Sequence, residues 1–196
     1  MSAAGGDAGA DKQGIWTSTS HDGRLILHAT AVSWAGAALV IAGPSGSGKS
    51  TLALALMAFG ARLIADDRVE VLEARAGEGS VVAAALPNAP GLIEARGVGL
   101  LPVDLAEPAP IVACIDMRPG PPTRLPEPRF VTLGGRQFPV ISPPATGGGV
   151  QKSGIEGFSH AALQYLKGHA AGLRGGVEKR ASFDGDRAIH DQQTRH

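Results

Sequence analysis

The sequence predicts a single α/β domain with a mixed, strand-rich sheet. Three observations predict it. The apolar run 37–42 leads directly into a glycine-rich loop, residues 43–48, and then into a helix-forming run, residues 52–59. Such a strand–loop–helix unit puts the loop at one end of a buried strand. Secondly, short apolar runs recur in pairs around turn residues: 26–34 and 37–42 across Ala35-Gly36, and 69–75 and 80–86 around 76–79. Paired runs of this kind are hairpins, so antiparallel strands dominate over simple βαβ alternation. Thirdly, only one other stretch has helical spacing: Ile155, Phe158, Ala162, Leu166 and Ala170 place one apolar face on a helix near 157–171.

The remaining elements follow in order. Residues 1–13 read as disordered, 14–171 as the folded domain, and 172–196 as a disordered tail that is polar and glycine-bearing. Strand formers from 14 to 34 turn at His21-Asp22-Gly23. Gly60 is placed to end the first helix as its C′ residue. Residues 62–67 follow as a short strand ending in two carboxylates. Residues 92–101 are apolar, glycine-interrupted and carry Glu94 and Arg96, and 111–117 is a core strand. Pro119, Pro121, Pro122, Pro126 and Pro128 force 118–128 into a loop. Residues 130–133 and 137–141 pair across Gly134-Gly135, and 143–149 is a flexible link.

The totals exclude several classes. The 196 residues suit one domain with a real core, and 43% of them are hydrophobic. Lys plus Arg and Asp plus Glu both number 18, for a net charge of +0, so no basic excess points to nucleic acid or an anionic membrane. Cys114 is the single cysteine, which excludes an internal disulfide; in the apolar run 111–115 it reads as a small buried residue. No apolar run reaches membrane-spanning length, and residues 1–14 lack the order of a signal peptide. These features fit a reducing cytoplasm.

The chemistry starts at the loop. Residues 43–50 fit G-x-x-x-x-G-K-[ST], so Gly43, Pro44, Ser45, Gly46, Ser47, Gly48, Lys49, Ser50 and Thr51 are the candidate nucleotide-binding residues. Glycines let bare backbone approach a polyanion, and the loop and helix-start N–H groups face phosphate oxygens. Lys49 reaches the outer phosphates, and the Ser50 hydroxyl is a Mg²⁺ ligand. Asp66 and Asp67, at the end of the strand after the loop's own helix, can divide the work. One faces metal and stays ionised; the other, in a drier site, takes a proton. A solvated acidic turn fits the same two residues. His28 lies in an apolar strand, where a core histidine fits as well as a catalytic one. Glu94 and Arg96 flank one alanine and, as a strand, face one side. They offer a second metal carboxylate and a cation for phosphoryl charge, or simply a surface ion pair.

Taken together these features resemble the HPr kinase/phosphorylase family, in the short form of α-proteobacteria that lacks the N-terminal domain. The resemblance runs from His28 to Val103 and more weakly to Ile141. It rests on His28, the loop 43–50, Leu63-Ile64-Ala65-Asp66-Asp67, and Glu94-Ala95-Arg96-Gly97-Val98-Gly99, in family order. The resemblance implies a fold related to the nucleotide-binding domain of phosphoenolpyruvate carboxykinase. It also implies an ATP- and Mg²⁺-dependent kinase of a seryl residue on a small HPr-like phosphocarrier protein of a regulatory phosphotransferase system. Phosphorolysis of the phosphoserine and a hexameric assembly are further family properties. By the resemblance Asp67 is the base, Lys49 and Ser45 hold phosphate, Ser50 and Glu94 bind Mg²⁺, and His28, Asp66 and Arg96 complete the site. Arg124, in Thr123-Arg124-Leu125-Pro126, matches the family's catalytic arginine segment least well. Pro44 and Thr51 replace residues usually acidic in the family. Residues 142–146 replace a C-terminal segment that serves the phosphorolysis direction.

Three other readings share the loop. A small-molecule kinase would use Arg118, Arg124 and Arg129 in the proline-rich loop as a lid. A transporter-type ATP-binding module would need a signature segment and a distant acidic strand, and neither is present in the sequence. A nucleotide sensor without catalysis would leave Asp66-Asp67 unexplained.

Overall fold

The computed structural model describes residues 14–16, 18–21, 24–73, 80–121, 123–145 and 152–174. The disorder expected for 1–13, the part of the expected disordered tail 172–196 beyond 174, the turn residues 22–23 and 74–79, and most of the 143–149 link lie outside them. Residues 172–174, expected in that tail, instead end a helix.

The chain opens with β1 (Ser18–His21), β2 (Arg24–Leu27), β3 (Ala29–Trp34) and β4 (Ala37–Ala42), followed by helix α1 (Lys49–Ala58). Then come β5 (Arg62–Ala65), β6 (Val69–Glu73), β7 (Val81–Ala85), β8 (Leu92–Ala95) and β9 (Gly99–Pro102). The long β10 (Ala109–Asp116), β11 (Arg129–Leu133), β12 (Arg136–Ile141) and helix α2 (Lys152–Arg174) complete the described elements. The mixed, strand-rich α/β class expected from the sequence is the one observed. Among the described residues no helix is long and apolar enough to cross a membrane.

The main sheet branches at β10. Its first residues pair antiparallel with β7, and through β7 with β6, β2 and β1. Its last residues pair in parallel with β12, which forms a hairpin with β11. Its other edge pairs in parallel with β4 along Ile111 to Asp116, and β3 and β5 follow antiparallel. A register shift between Ile111 and Ala113 accompanies the branching: one extra residue bends the strand and turns it from one set of neighbours to the next.

Strand β4 is buried on both faces. Leu39 and Ile41 pack with Leu52 and Leu56 of α1 and with Phe158 and Leu166 of α2. On the reverse face Val40 joins Val69 and Val71 of β6 and Phe138 of β12. Each large aliphatic side chain so buried contributes about 1.5–3 kcal/mol, which makes β4 the rigid base of whatever its carboxyl end carries. That end lies beside Asp116 of β10, where Met117 donates its N–H to the Ala42 carbonyl at 2.8 Å. The carboxyl ends of parallel strands are where ligands enter open α/β sheets.

Two expectations need correction. The run 26–34 is not one strand: it breaks at His28. Leu27 pairs with Val69 in one branch of the sheet, whereas Ala29 pairs with Ala42 in the other. The chain changes sheets at His28, which frees that side chain from the core. Nor do Glu94 and Arg96 share a strand. β8 ends at Ala95, and Arg96 belongs to the turn into β9, because Gly97 takes φ 83 and the Val98 N–H bonds back to the Ala95 carbonyl. The Ala35-Gly36 hairpin forms as expected, with φ 54 and 83. The end of α1 also forms as expected. Gly60, at φ 93, donates to Met57 O while Ala61 donates to Leu56 O, a Schellman closure.

Candidate functional site

The loop between β4 and α1 folds over Gly43. A Cβ there would lie 2.7 Å from Met117 Cβ and 2.7 Å from Ser47 Oγ, so only glycine lets the chain leave the sheet at this point. The Ser47 hydroxyl is buried with no hydrogen-bond partner among the described residues. Gly48 takes φ 93 at the N-cap of α1, and no side chain caps that helix. Its first turn holds no acidic residue. The N–H groups of the first helical turn and the positive end of the helix dipole are therefore unopposed by any carboxylate on the helix itself. This is the arrangement that accepts a phosphate.

Lys49 lies at the centre. It is only 8% exposed, and its Nζ donates to Gly43 O at 3.0 Å and Pro44 O at 3.3 Å. Burial lowers its pKa from the ordinary value, while the charges of Asp67 and Asp66 pull it back up. The same Nζ lies 3.5 Å from His28 Nε2. With Lys49 as donor, Nε2 accepts, and the imidazole proton belongs on Nδ1, 2.9 Å from Asp67 Oδ1. His28 thus bridges Lys49 to Asp67.

The two aspartates part company. Asp66 is held inward: Oδ1 accepts from Thr30 Oγ1 at 2.6 Å, and Ser50 Oγ lies 3.1 Å from both carboxylate oxygens. Oδ2 also accepts from the Glu94 backbone N–H at 3.3 Å. Asp67 turns outward, its side chain 72% exposed, on a residue with φ 68. A positive φ is uncommon outside glycine but tolerated by Asp. That twist sends the two adjacent side chains in different directions.

Glu94 is exposed on β8 beside Asp66, and Arg96 comes near the loop, its Nη2 3.6 Å from where a Cβ on Gly46 would stand. Pro44, Ser45 and Gly46 are exposed at the loop crest, and Thr51 is exposed on the first turn of α1. Arg124 lies exposed in the proline-rich loop, with no hydrogen bond or ion pair joining it to this cluster among the described residues. Thr30 escaped the sequence reading. Its signal was a hydroxyl in an apolar strand two residues after a candidate histidine. Asp116 escaped too. It is buried at the end of β10, where Oδ1 accepts from the Arg118 backbone N–H at 2.9 Å and Oδ2 lies 2.8 Å from Arg118 Nη2.

Among the described residues no three His, Cys, Asp or Glu side chains converge as a ready metal cage. Ser50, whose hydroxyl meets Asp66, and Glu94, whose backbone N–H meets it, are a hydroxyl and a carboxylate that suit Mg²⁺ all the same, because this ion is usually held by one or two protein ligands and substrate phosphates.

Comparison with known proteins bears on this set. The HPr Serine kinase C-terminal domain matches residues 22–106, a span that holds every candidate residue except Arg124. The HPr kinase/phosphorylase of Lacticaseibacillus casei (strain BL23) is 44% identical over 80 residues, covering 41% of this chain and 24% of that protein. That of Limosilactobacillus reuteri (strain DSM 20016) is 46% identical over 80 residues, with the same coverage of 41% and 24%. That of Clostridium botulinum (strain Eklund 17B / Type B) is 38% identical over 77 residues, covering 39% and 24%. The matched segment is thus about a quarter of these relatives' length. A solved structure of the HPr(Ser) kinase/phosphatase from Coxiella burnetii aligns with a TM-score of 0.59 at 19% identity, over 76% of this chain and 99% of that one, which shows a shared fold. The segment with the glycine-rich loop, the paired aspartates and the β8–β9 hairpin is the part of the chain that is similar to the HPr kinase/phosphorylase family.

Proposed function

We propose that the protein is an ATP- and Mg²⁺-dependent serine kinase whose substrate is a small HPr-like phosphocarrier protein. The observation that carries this reading is the outward Asp67, 2.9 Å from His28, beside a buried Lys49 at the mouth of the loop. A base that exposed suits an acceptor presented on another macromolecule; enclosed pockets suit small metabolites.

The steps follow from the residues. The loop N–H groups and Lys49 receive the triphosphate, and Lys49 exchanges the carbonyls of Gly43 and Pro44 for phosphate oxygens. Ser50 and Glu94 hold the cation, which when bound neutralises phosphate charge. Asp67 accepts the proton of the incoming serine hydroxyl as its oxygen bonds to the γ-phosphorus and the bond to the leaving ADP oxygen breaks. His28 keeps Asp67 in line, and Arg96 lies near enough to the loop to offset charge on the transferred group. The phosphate loop is thereby of the P-loop kind shared with phosphoenolpyruvate carboxykinase. Phosphorolysis would run the same proton transfer in reverse, with inorganic phosphate as acceptor. Assembly as a homo-oligomer and a cytoplasmic location accompany the proposal.

The test is intact-mass spectrometry of an HPr-like phosphocarrier protein incubated with this protein, ATP and Mg²⁺. The expected result is one added phosphate on a single serine, removed on addition of inorganic phosphate. ATP consumption with an unmodified carrier and a phosphorylated metabolite would replace the proposal with a small-molecule kinase.

A further inference from the structure

Thr30 is buried, with no exposed surface, near the start of β3, and it donates its one hydroxyl proton to Asp66 Oδ1 at 2.6 Å. Its neighbour across the sheet is Ile41 of β4, the strand from which the loop springs. Asp66 in turn touches Ser50 of α1 with both oxygens and the Glu94 N–H of β8 with one. Each carboxylate oxygen has room for about two hydrogen bonds. Thr30 donates to Oδ1, the Glu94 N–H donates to Oδ2, and the single Ser50 proton lies between the two oxygens. Asp66 is therefore held by three donors from three elements. It acts on Ser50: by taking the Ser50 proton it leaves the hydroxyl lone pairs facing away from the carboxylate, in the direction a cation requires.

We infer that Thr30 is a positioning residue for the divalent-cation site, acting through Asp66 on the Ser50 hydroxyl and on the backbone of Glu94. The inference deepens the proposed function and rests on its assignment of Ser50 and Glu94 to the cation. The physical reason is the one that governs partners of metal ligands elsewhere: a group that fixes a ligand's orientation changes metal affinity about 10–100-fold without touching the metal. Removing the Thr30 hydroxyl leaves Asp66 Oδ1 with one donor fewer, and the carboxylate is then free to rotate and release Ser50. Three separate elements, β3, α1 and the β8–β9 hairpin, lose their common point.

The experiment titrates Mn²⁺ by electron paramagnetic resonance into the full chain saturated with a non-hydrolysable ATP analogue. It compares the unsubstituted protein, Thr30→Val, Thr30→Ser and Ser50→Ala. Binding of the metal-free analogue is measured alongside by calorimetry. Thr30→Val keeps the side-chain shape and removes the hydroxyl. It is expected to weaken Mn²⁺ binding by about tenfold or more, with metal-free analogue affinity within about twofold. Thr30→Ser restores Mn²⁺ binding. Unchanged Mn²⁺ binding in Thr30→Val with weakened binding in Ser50→Ala overturns the inference about Thr30 and leaves the cation site standing. Unchanged binding in Ser50→Ala overturns that assignment itself. Equal losses in Thr30→Ser and Thr30→Val would assign the effect to packing and overturn the hydrogen-bond argument. Should Thr30→Val not fold, Thr30→Ala carries the same comparison.

Discussion

His28 Nδ1 lies 2.9 Å from Asp67 Oδ1, and both residues owe their positions to irregular backbone: His28 to the break between β2 and β3, Asp67 to φ 68. The pair stands in solvent, 53% and 72% exposed, so the energy of its contact is small and its value is directional. Asp67→Asn keeps the shape and removes the base. It is expected to lower kcat by about 10²-fold or more while nucleotide affinity changes little. His28→Ala, which loosens the base without removing it, is expected to have a smaller effect. Steady-state kinetics with the carrier protein check both; an Asp67→Asn protein with unaltered kcat would overturn the assignment.

Lys49 pays the cost of burial before any ligand arrives, and this separates stability from binding. Its folded-state pKa is lowered by desolvation, so the charged form is disfavoured at neutral pH, fully so below that folded pKa. The cost declines as pH rises from the folded pKa towards 10.5. Lys49→Met is therefore expected to lose nucleotide binding by at least about tenfold, since a charged phosphate contact is removed. The ligand-free protein should retain or gain thermal stability relative to the unsubstituted chain near neutral pH. Calorimetric titration and a thermal melt read the two effects separately.

At Gly43 the added methyl group of alanine meets Met117 Cβ and Ser47 Oγ at 2.7 Å, closer than carbon atoms tolerate. Met117 is itself fixed by its bond to Ala42 O at 2.8 Å, so relief must come from the loop. Gly43→Ala is expected to destabilise by about 1–3 kcal/mol, the usual range for overpacking, and to abolish nucleotide binding. Gly168→Ala on α2, where a Cβ meets nothing within 4 Å, keeps binding intact and isolates the steric effect. Urea unfolding with parallel binding measurements tests the contrast.

The Cys114 thiol is fully buried between β4 and β12, and burial pushes its pKa up. A raised folded pKa means stability is full below the unfolded value near 9.0 and is lost as pH rises beyond it, because only the unfolded chain can ionise freely. Burial raises Tyr165 in the same direction. Between pH 9 and 10 the unsubstituted protein should lose up to about 1.4 kcal/mol relative to Cys114→Ala. The thiol should react with a disulfide reagent only on unfolding. Denaturant titrations at the two pH values check this.

Much of the fold was legible because its signals are local. The run 37–42, the Gly-rich loop and the Ala35-Gly36 and Gly134-Gly135 turns each declare their conformation within a few residues, and β3–β4 and β11–β12 pair accordingly. What stayed hidden is pairing at a distance. Nothing near 109–116 announces that β10 serves β7, β12 and β4 together. The switch of sheets at His28 was equally invisible, since Leu27 and Ala29 are both buried and read as one strand. Within the site, residue types and order pointed to His28, Lys49, Ser50 and the aspartates. The different directions of Asp66 and Asp67 depend on one positive φ, and the contact of Thr30 on a partner far along the chain.

The parallel pairing of β4 with β10 also governs how the site comes into being. Hairpins such as β3–β4 close over two residues, whereas Ala42 must find Asp116, far along the sequence, before Met117 can reach Gly43. Contacts of that separation cost loop-closure entropy and form slowly. The glycine-rich loop and the two aspartates are present in sequence by Asp67, yet the loop gains a floor only when β10 arrives. A nascent chain that has emerged no further than β7 has the signature of the site and not the site.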